Sequence, residues 1–289
     1  MTTPASLRLS SRGNMPFGIA LFGATGVFVA LVVALLAANV LYVRGEHVQA
    51  AIDSPQIRYA VLLSVCTCTI TAILSTVVAV PAGYLLARVP FRGRRFVDVL
   101  VDVPIVLPPI VVGLALLLLF NQTAVGRWLE DGVEWVLAVL PLHWIGLDHV
   151  TSVTYDVPGV ILAQFAVASA FAIRTMRVAF EQVSDRREHV AQVLGCTRRQ
   201  AFFWVALPEV RSGIVAAATL AWARAMGEFG PILVFAGATR MKTEVLPTTV
   251  FLEMSVGNVE AAATVSLMMV AAAIVVLLIA RTVGARMAA

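Results

Sequence analysis

Charge is scarce in this sequence. Asp, Glu, Lys and Arg make up 13 % of its 289 residues, against 60 % apolar, whereas soluble domains are about a quarter charged. With a mean hydropathy of +0.91, an ordinary water-soluble domain is excluded and a membrane protein is expected. Lysine is nearly absent: Lys242 is the only one. No Gly-rich loop ends in Gly-Lys-Ser/Thr, so the chain lacks the lysine that cradles nucleotide phosphates. Cysteine is sparse as well. Cys66 and Cys68 fall in one apolar run, about 200° apart around a helix, which keeps them from sharing a metal; with Cys196 they read as small apolar side chains. His47, His143 and His149 have no ligand-like spacing. Asp98 and Asp102 read as caps of a helix start rather than as an acid pair. No metal or bound cofactor is expected, and no polar cluster on the apolar runs suggests an embedded enzyme.

What the chain has instead is long apolar runs. A polar segment, 1–16, precedes a single membrane domain, 17–289. The runs cover about 17–43, 59–87, 99–120, 157–180, 213–238 and 259–280, each near the roughly 20 residues needed to cross a bilayer. The first is too long for a signal-peptide core and no clear cleavage site ends it. Pro104 and Pro108-Pro109 should kink the third run. Six spanning helices are expected, in an all-α polytopic fold. Between the third and fourth, Val133 to Leu142 suits a short interfacial helix, with Trp128, Trp135 and Trp144 nearby.

Arginine sets the orientation. With the N-terminus inside, the inner segments hold 15 of the 21 basic residues, and the positive-inside rule puts both termini in the cytoplasm. The excess of basic residues is thereby a matter of topology, and no nucleic acid is implied. The longest basic connection is then cytoplasmic: 181–208, set between the fourth and fifth runs. It reads as two helical pieces, Glu188 to Leu194 and Arg198 to Val205, around a turn at Gly195-Cys196, because Gly readily takes the left-handed conformation that ends a helix. Pro208 lets the chain turn back into the fifth run.

These residues carry a resemblance. Gly195, nine residues, Val205, one residue, and Leu207-Pro208 resemble the cytoplasmic signature of binding-protein-dependent ABC importer permeases. That signature reads Glu-Ala-Ala, three residues, Gly, nine residues, Ile, one residue, Leu-Pro. Its Glu-Ala-Ala positions hold His189, Val190 and Ala191 here, and Glu188 stands one residue earlier. A second stretch, Gly227-Glu228-Phe229-Gly230 after Ala223-Arg224-Ala225-Met226, is similar to the fifth-span motif of sulfate, molybdate and tungstate permeases. Leu246-Pro247-Thr248-Thr249 and the run Val106 to Gly113 are similar to the molybdate branch.

The resemblance implies a type I importer permease in the cell (inner) membrane, moving an oxyanion, molybdate first, with sulfate or tungstate the alternative. It implies a second permease copy, two ATPase subunits that use ATP and Mg, and an extracytoplasmic substrate-binding protein. Glu188, His189, Val190, Ala191, Gly195, Leu207 and Pro208 would belong to a coupling helix seated on the ATPase. Arg224, Gly227, Glu228, Phe229 and Gly230 are candidates for the pathway. A secondary transporter driven by an ion gradient would also explain an Arg and a Glu inside a span, but not the long inner loop. Physical chemistry limits what Glu228 can do. It lies about 22 Å into the fifth run, where an ionised carboxylate needs a partner, and Arg224 one turn earlier can reach it. A free carboxylate would repel an oxyanion, so the expected role of the pair is structural, with the flanking glycines allowing a bend.

Overall fold

The computed structural model describes residues 15–139 and 152–288, and every regular element among them is helical. Four helices are long and apolar enough to cross a membrane unbroken. They belong to α1 (Met15–Tyr42), α3 (Pro55–Arg88), α7 (Val157–Gln182) and α14 (Val259–Ala288). A short α2 (Gly45–Asp53) links the first two. Pro81 lies inside α3 without ending it.

The other two expected spans are broken. The third consists of α4 (Arg94–Val106) and α5 (Pro109–Gln122), bent by 112°. The bend falls at Leu107-Pro108 and not at Pro104: Leu107 takes an extended ψ of 139°, the conformation a residue before proline favours. The fifth consists of α11 (Arg211–Met226) and α12 (Gly230–Phe235), separated by Gly227 to Phe229. Between the fifth and sixth, α13 (Leu246–Ser255) enters against α3, where the Leu246 N–H donates to Ser64 Oγ at 2.8 Å.

The core is the bundle of α3, α7 and α11, and its faces are small. Ala60, Ser64, Thr67, Thr71, Ser75 and Ala79 recur at three- and four-residue spacing on α3 and are all buried. Ala217, Ala221 and Ala225 do the same on α11. Lipid supplies no hydrophobic drive between helices, so association depends on close backbone approach and on interhelical hydrogen bonds. Gln164 of α7 makes those bonds. Thr71 Oγ1 donates to Gln164 Oε1 at 3.1 Å, and Gln164 Nε2 donates to the Ala225 carbonyl at 3.3 Å. The second bond holds the last turn of α11 just before the break.

The two broken spans meet at a glycine seam. A Cβ on Gly113 would lie 2.8 Å from Pro231 Cα, and one on Gly230 would lie 3.0 Å from the Ile110 nitrogen. At both places the backbones approach closely: a Cβ on Gly113 would force a shift, and one on Gly230 would be tightly packed. The periphery differs. None of the apolar window of α1 is buried, and α4 has no buried residue. The expected interfacial helix starts earlier than Val133: α6 runs Ala124–Val139 directly after α5, with Trp128 exposed. Residues 140–142 of that expectation, with His143, Trp144 and His149, lie outside the described residues, as does the 1–14 part of the N-terminal segment.

Candidate functional site

The loop 181–208 folds much as its residue types require. Residues Arg186–Val193 form α8, and Gly195 ends it with φ +97°. The Cys196 N–H donates to the Ala191 carbonyl and the Gly195 N–H to that of Gln192, both at 3.0 Å, which is the paired closure expected around a left-handed glycine. Thr197 then starts the next helix with a capping box, its side chain accepting from the Gln200 N–H while the Thr197 N–H donates to Gln200 Oε1 at 2.8 Å. That helix runs through α9 (Arg198–Ala201), a π-helical turn at Phe202–Ala206 and α10 (Leu207–Glu209). Pro208 has no N–H to continue the ordinary ladder, and the wide turn immediately precedes it. The chain bends by 70° into α11.

The face of α8 that points inward was not legible in the sequence. Glu188 is only 5 % exposed. Tyr84 Oη donates to its Oε2 at 2.8 Å, and Arg88 Nε lies 3.5 Å from Oε1. Arg88 also donates to the Val183 carbonyl at 2.5 Å, so the C-terminal end of α3 grips both ends of the turn into α8. Phe180 and Phe202 pack edge-on against Tyr84 at 5.3 and 4.7 Å. A cleft of about 550 Å³ opens beside these groups, lined by Tyr84, Arg88, Glu188, His189, Arg198 and Arg199 among others.

The opposite face of α8 is open. His189 is exposed, as are Val190, Val193 and Leu194, the last two at 87 % and 80 %. Ala191 is half-buried, Leu207 half-buried and Pro208 exposed. The structure thus splits the expected coupling residues. Glu188 and Ala191 turn toward the bundle, while His189 and Val190 join Val193 and Leu194 on an apolar tip.

The fifth-span candidates cluster at the break. Glu228 is 1 % exposed and pairs with Arg224 at 2.9 Å, while no hydrogen-bond donor reaches its Oε1. The Arg224 guanidinium also stacks over Phe171 at 5.6 Å. Gly230 is buried in the seam with α5, Gly227 is exposed, and Phe229 packs on Phe251 at 5.2 Å. The carboxylate therefore faces the protein interior, in the structural pairing that its spacing from Arg224 anticipates.

Asp98 and Asp102 are not caps. Gly93 occupies the N-cap of α4, and both carboxylates cross to α7: Asp102 to Arg174 at 2.6 Å, and Asp98 to Arg177, which also reaches Glu181 at 2.8 Å. Since α4 buries nothing, these pairs are its principal polar fastening. Glu244 was also missed. It lies in the loop before α13, fully buried, with both oxygens lacking a hydrogen-bond partner. Burial, which disfavours the charged form, and nearby Glu253 push its pKa up, while Thr249 and Arg240 draw it back. Arg240 itself bonds Glu253 at 2.8 Å.

Comparison with known proteins agrees with this geometry. Residues 79–289 match the family model described as "Binding-protein-dependent transport system inner membrane component". The chain is 33 % identical to the molybdenum transport system permease protein ModB of Mycobacterium tuberculosis, over 90 % of each chain. It is 32 % identical to the molybdate/tungstate transport system permease protein WtpB of Pyrococcus abyssi, over 78 % of this chain and 80 % of the relative. The sulfate transport system permease protein CysT of Escherichia coli is 28 % identical over 96 % of each. Among solved structures, a chain of a bacterial ABC transporter that imports the polysaccharide alginate superposes with a TM-score of 0.70 at 18 % identity, covering 95 % of this chain and 96 % of that one. A chain of the MetNI methionine ABC transporter superposes with a TM-score of 0.57 at 17 % identity, over 81 % and 99 %. The fold is that of a type I importer permease.

Proposed function

Since the chain belongs to the family of inner membrane components of binding-protein-dependent transport systems, we propose that it is the permease subunit of an ATP-driven importer for a tetrahedral oxyanion, molybdate first and tungstate or sulfate next. The observation that carries the reading is the inner loop. A rigid glycine turn presents an apolar tip, Val190, Val193 and Leu194, to solvent, while Glu188 fastens the same helix to the end of α3. A push on that tip is delivered to the core bundle. The names of the relatives support the substrate class.

In this mechanism two copies of the chain enclose the pathway, with both termini in the cytoplasm. A binding protein delivers the anion from outside. Two ATPase subunits close on ATP and Mg and drive the coupling segments around Glu188 to Arg199, and the broken third and fifth spans rearrange together. Arg224 is a weak anion station while Glu228 neutralises it, so selection falls chiefly to the binding protein.

The deciding experiment is uptake of labelled molybdate by vesicles holding this chain with its partner subunits, with and without ATP. ATP-dependent uptake that tungstate blocks and sulfate does not is the expected result. Equal competition by sulfate moves the substrate to the sulfate branch. Uptake without ATPase subunits, driven by an ion gradient alone, overturns the importer reading.

A further inference from the structure

The inward turn of Glu188 has a consequence for what the coupling segment meets. Between 183 and 208 the chain carries two carboxylates, Asp185 and Glu188, and four arginines, Arg186, Arg187, Arg198 and Arg199. Glu188 is buried and spent on Tyr84 and Arg88. Arg187 is engaged by Glu209. Asp185 alone is left facing solvent against Arg186, Arg198 and Arg199, all three exposed and without an ion-pair partner among the described residues. Exposed His189 stands where the family signature has a glutamate. The exposed surface of this segment is therefore basic on both sides of α8, with Arg186 on the face of the apolar tip of Val190, Val193 and Leu194 and Arg198 and Arg199 lining the cleft beside Tyr84.

We infer that the ATPase surface receiving this segment is an apolar groove rimmed by carboxylates, the Arg186, Arg198 and Arg199 side chains supplying the charge contacts that an outward glutamate cannot make here. The inference rests on the permease reading and adds the charge of the partner to it. Arg186, Val190 and Val193 follow one another at four- and three-residue spacing, so charge and apolar tip share one helix face. Rim charges of this kind govern encounter rate and salt dependence more than final affinity, whereas the buried apolar tip supplies most of the free energy. An anionic lipid surface is the other surface that basic residues serve. The permease reading favours the ATPase, and the lipid arm of the test below separates the two surfaces.

The test is association of the purified permease, in nanodiscs of phosphatidylcholine, with its cognate ATPase subunit. Wild type should bind less tightly as sodium chloride rises. The triple variant R186E/R198E/R199E should bind on the order of tenfold more weakly at low salt and lose that salt dependence. Reversal of a groove carboxylate to lysine on the ATPase should restore it. Binding of the triple variant equal to wild type at low salt, in a protein that elutes as wild type on size exclusion, overturns the acidic groove. So does a salt effect that appears only when phosphatidylglycerol is added to the nanodiscs. Val193→Asp and Leu194→Asp separate the two levels. If they abolish binding while the charge reversals do nothing, only the groove's charge is wrong; if neither set matters, the coupling reading itself fails.

Discussion

Glu188 and Glu228 are both turned into the protein, and the chain handles them in different ways. Glu188 lies at the end of the bundle where α3 finishes and takes its partners, Tyr84 and Arg88, from that other helix. Glu228 lies at a helix break within an apolar stretch, and its partner is Arg224, one turn back on its own span. A carboxylate paired across elements is a fastener: removing it frees a segment. A carboxylate paired along its own span bonds no second element itself, and its partner chiefly makes a buried charge tolerable. Removing that partner harms the whole fold.

The sharpest way to break this contrast is Arg224→Ala, which strands Glu228 in the interior. A loss of about 3 kcal/mol or more is expected, read as a lower thermal unfolding temperature in detergent, and Arg224→Ala/Glu228→Gln should recover most of it. A single variant as stable as wild type would show that Glu228 does not depend on its ion pair. Glu188→Ala should cost less globally, on the order of 1–3 kcal/mol, and the loss should be local. Hydrogen exchange should rise across 183–197 while the unfolding temperature hardly moves, and transport per ATP hydrolysed should fall. Tyr84→Phe should show a smaller version of the same pattern. If exchange rises evenly over the bundle instead, the fastener description is wrong.

Asp98→Asn extends the comparison to α4, which buries no residue and is fastened to α7 by ion pairs beside the partly buried Val97 and Val101. With partial solvent screening the expected cost is about 1 kcal/mol, seen as weaker cysteine cross-linking between α4 and α7 with the core unaffected. The smallest effect concerns Glu244. Its raised pKa means that the folded state holds the proton more tightly than the unfolded state. The associated stability is present in full below the ordinary carboxylate range and is lost as pH rises through the raised value. Glu244→Gln should flatten that decline in a pH series of unfolding temperatures, and an unchanged profile would remove Glu244 as its source.

Features set by neighbours in the chain were readable before any coordinates. The apolar runs gave the helices because their lengths match a bilayer. The turn at Gly195 was readable because a positive φ suits glycine, whereas the capping box of Thr197 and Gln200, though local, was passed over. The Arg224–Glu228 pair was readable because it spans one helical turn. What escaped depends on distant residues. The partners of Asp98 and Asp102 are Arg177 and Arg174, and Tyr84 reaches Glu188 across 104 positions. No helical period connects such pairs. The bend at Leu107 was anticipated only as a kink somewhere among three prolines. The break after α11 was anticipated at the glycines flanking Glu228, but the bond from Gln164 of α7 that holds that end was not.

The seam between Gly113 and Gly230 bears on how the protein is made. As the chain leaves the ribosome, α5 is complete long before α12 exists. Until then the groove of α5 that will accept Pro231 has only lipid or the insertion machinery to cover it. A nascent chain halted before Gly230 should therefore hold α5 loosely, open to extraction and proteolysis, and synthesis of the few residues through Phe235 should secure a span laid down much earlier. Biogenesis of this protein is then expected to have a late step that closes an early one, and a bulky residue at either glycine should be felt first there, as a chain degraded before it is ever assembled.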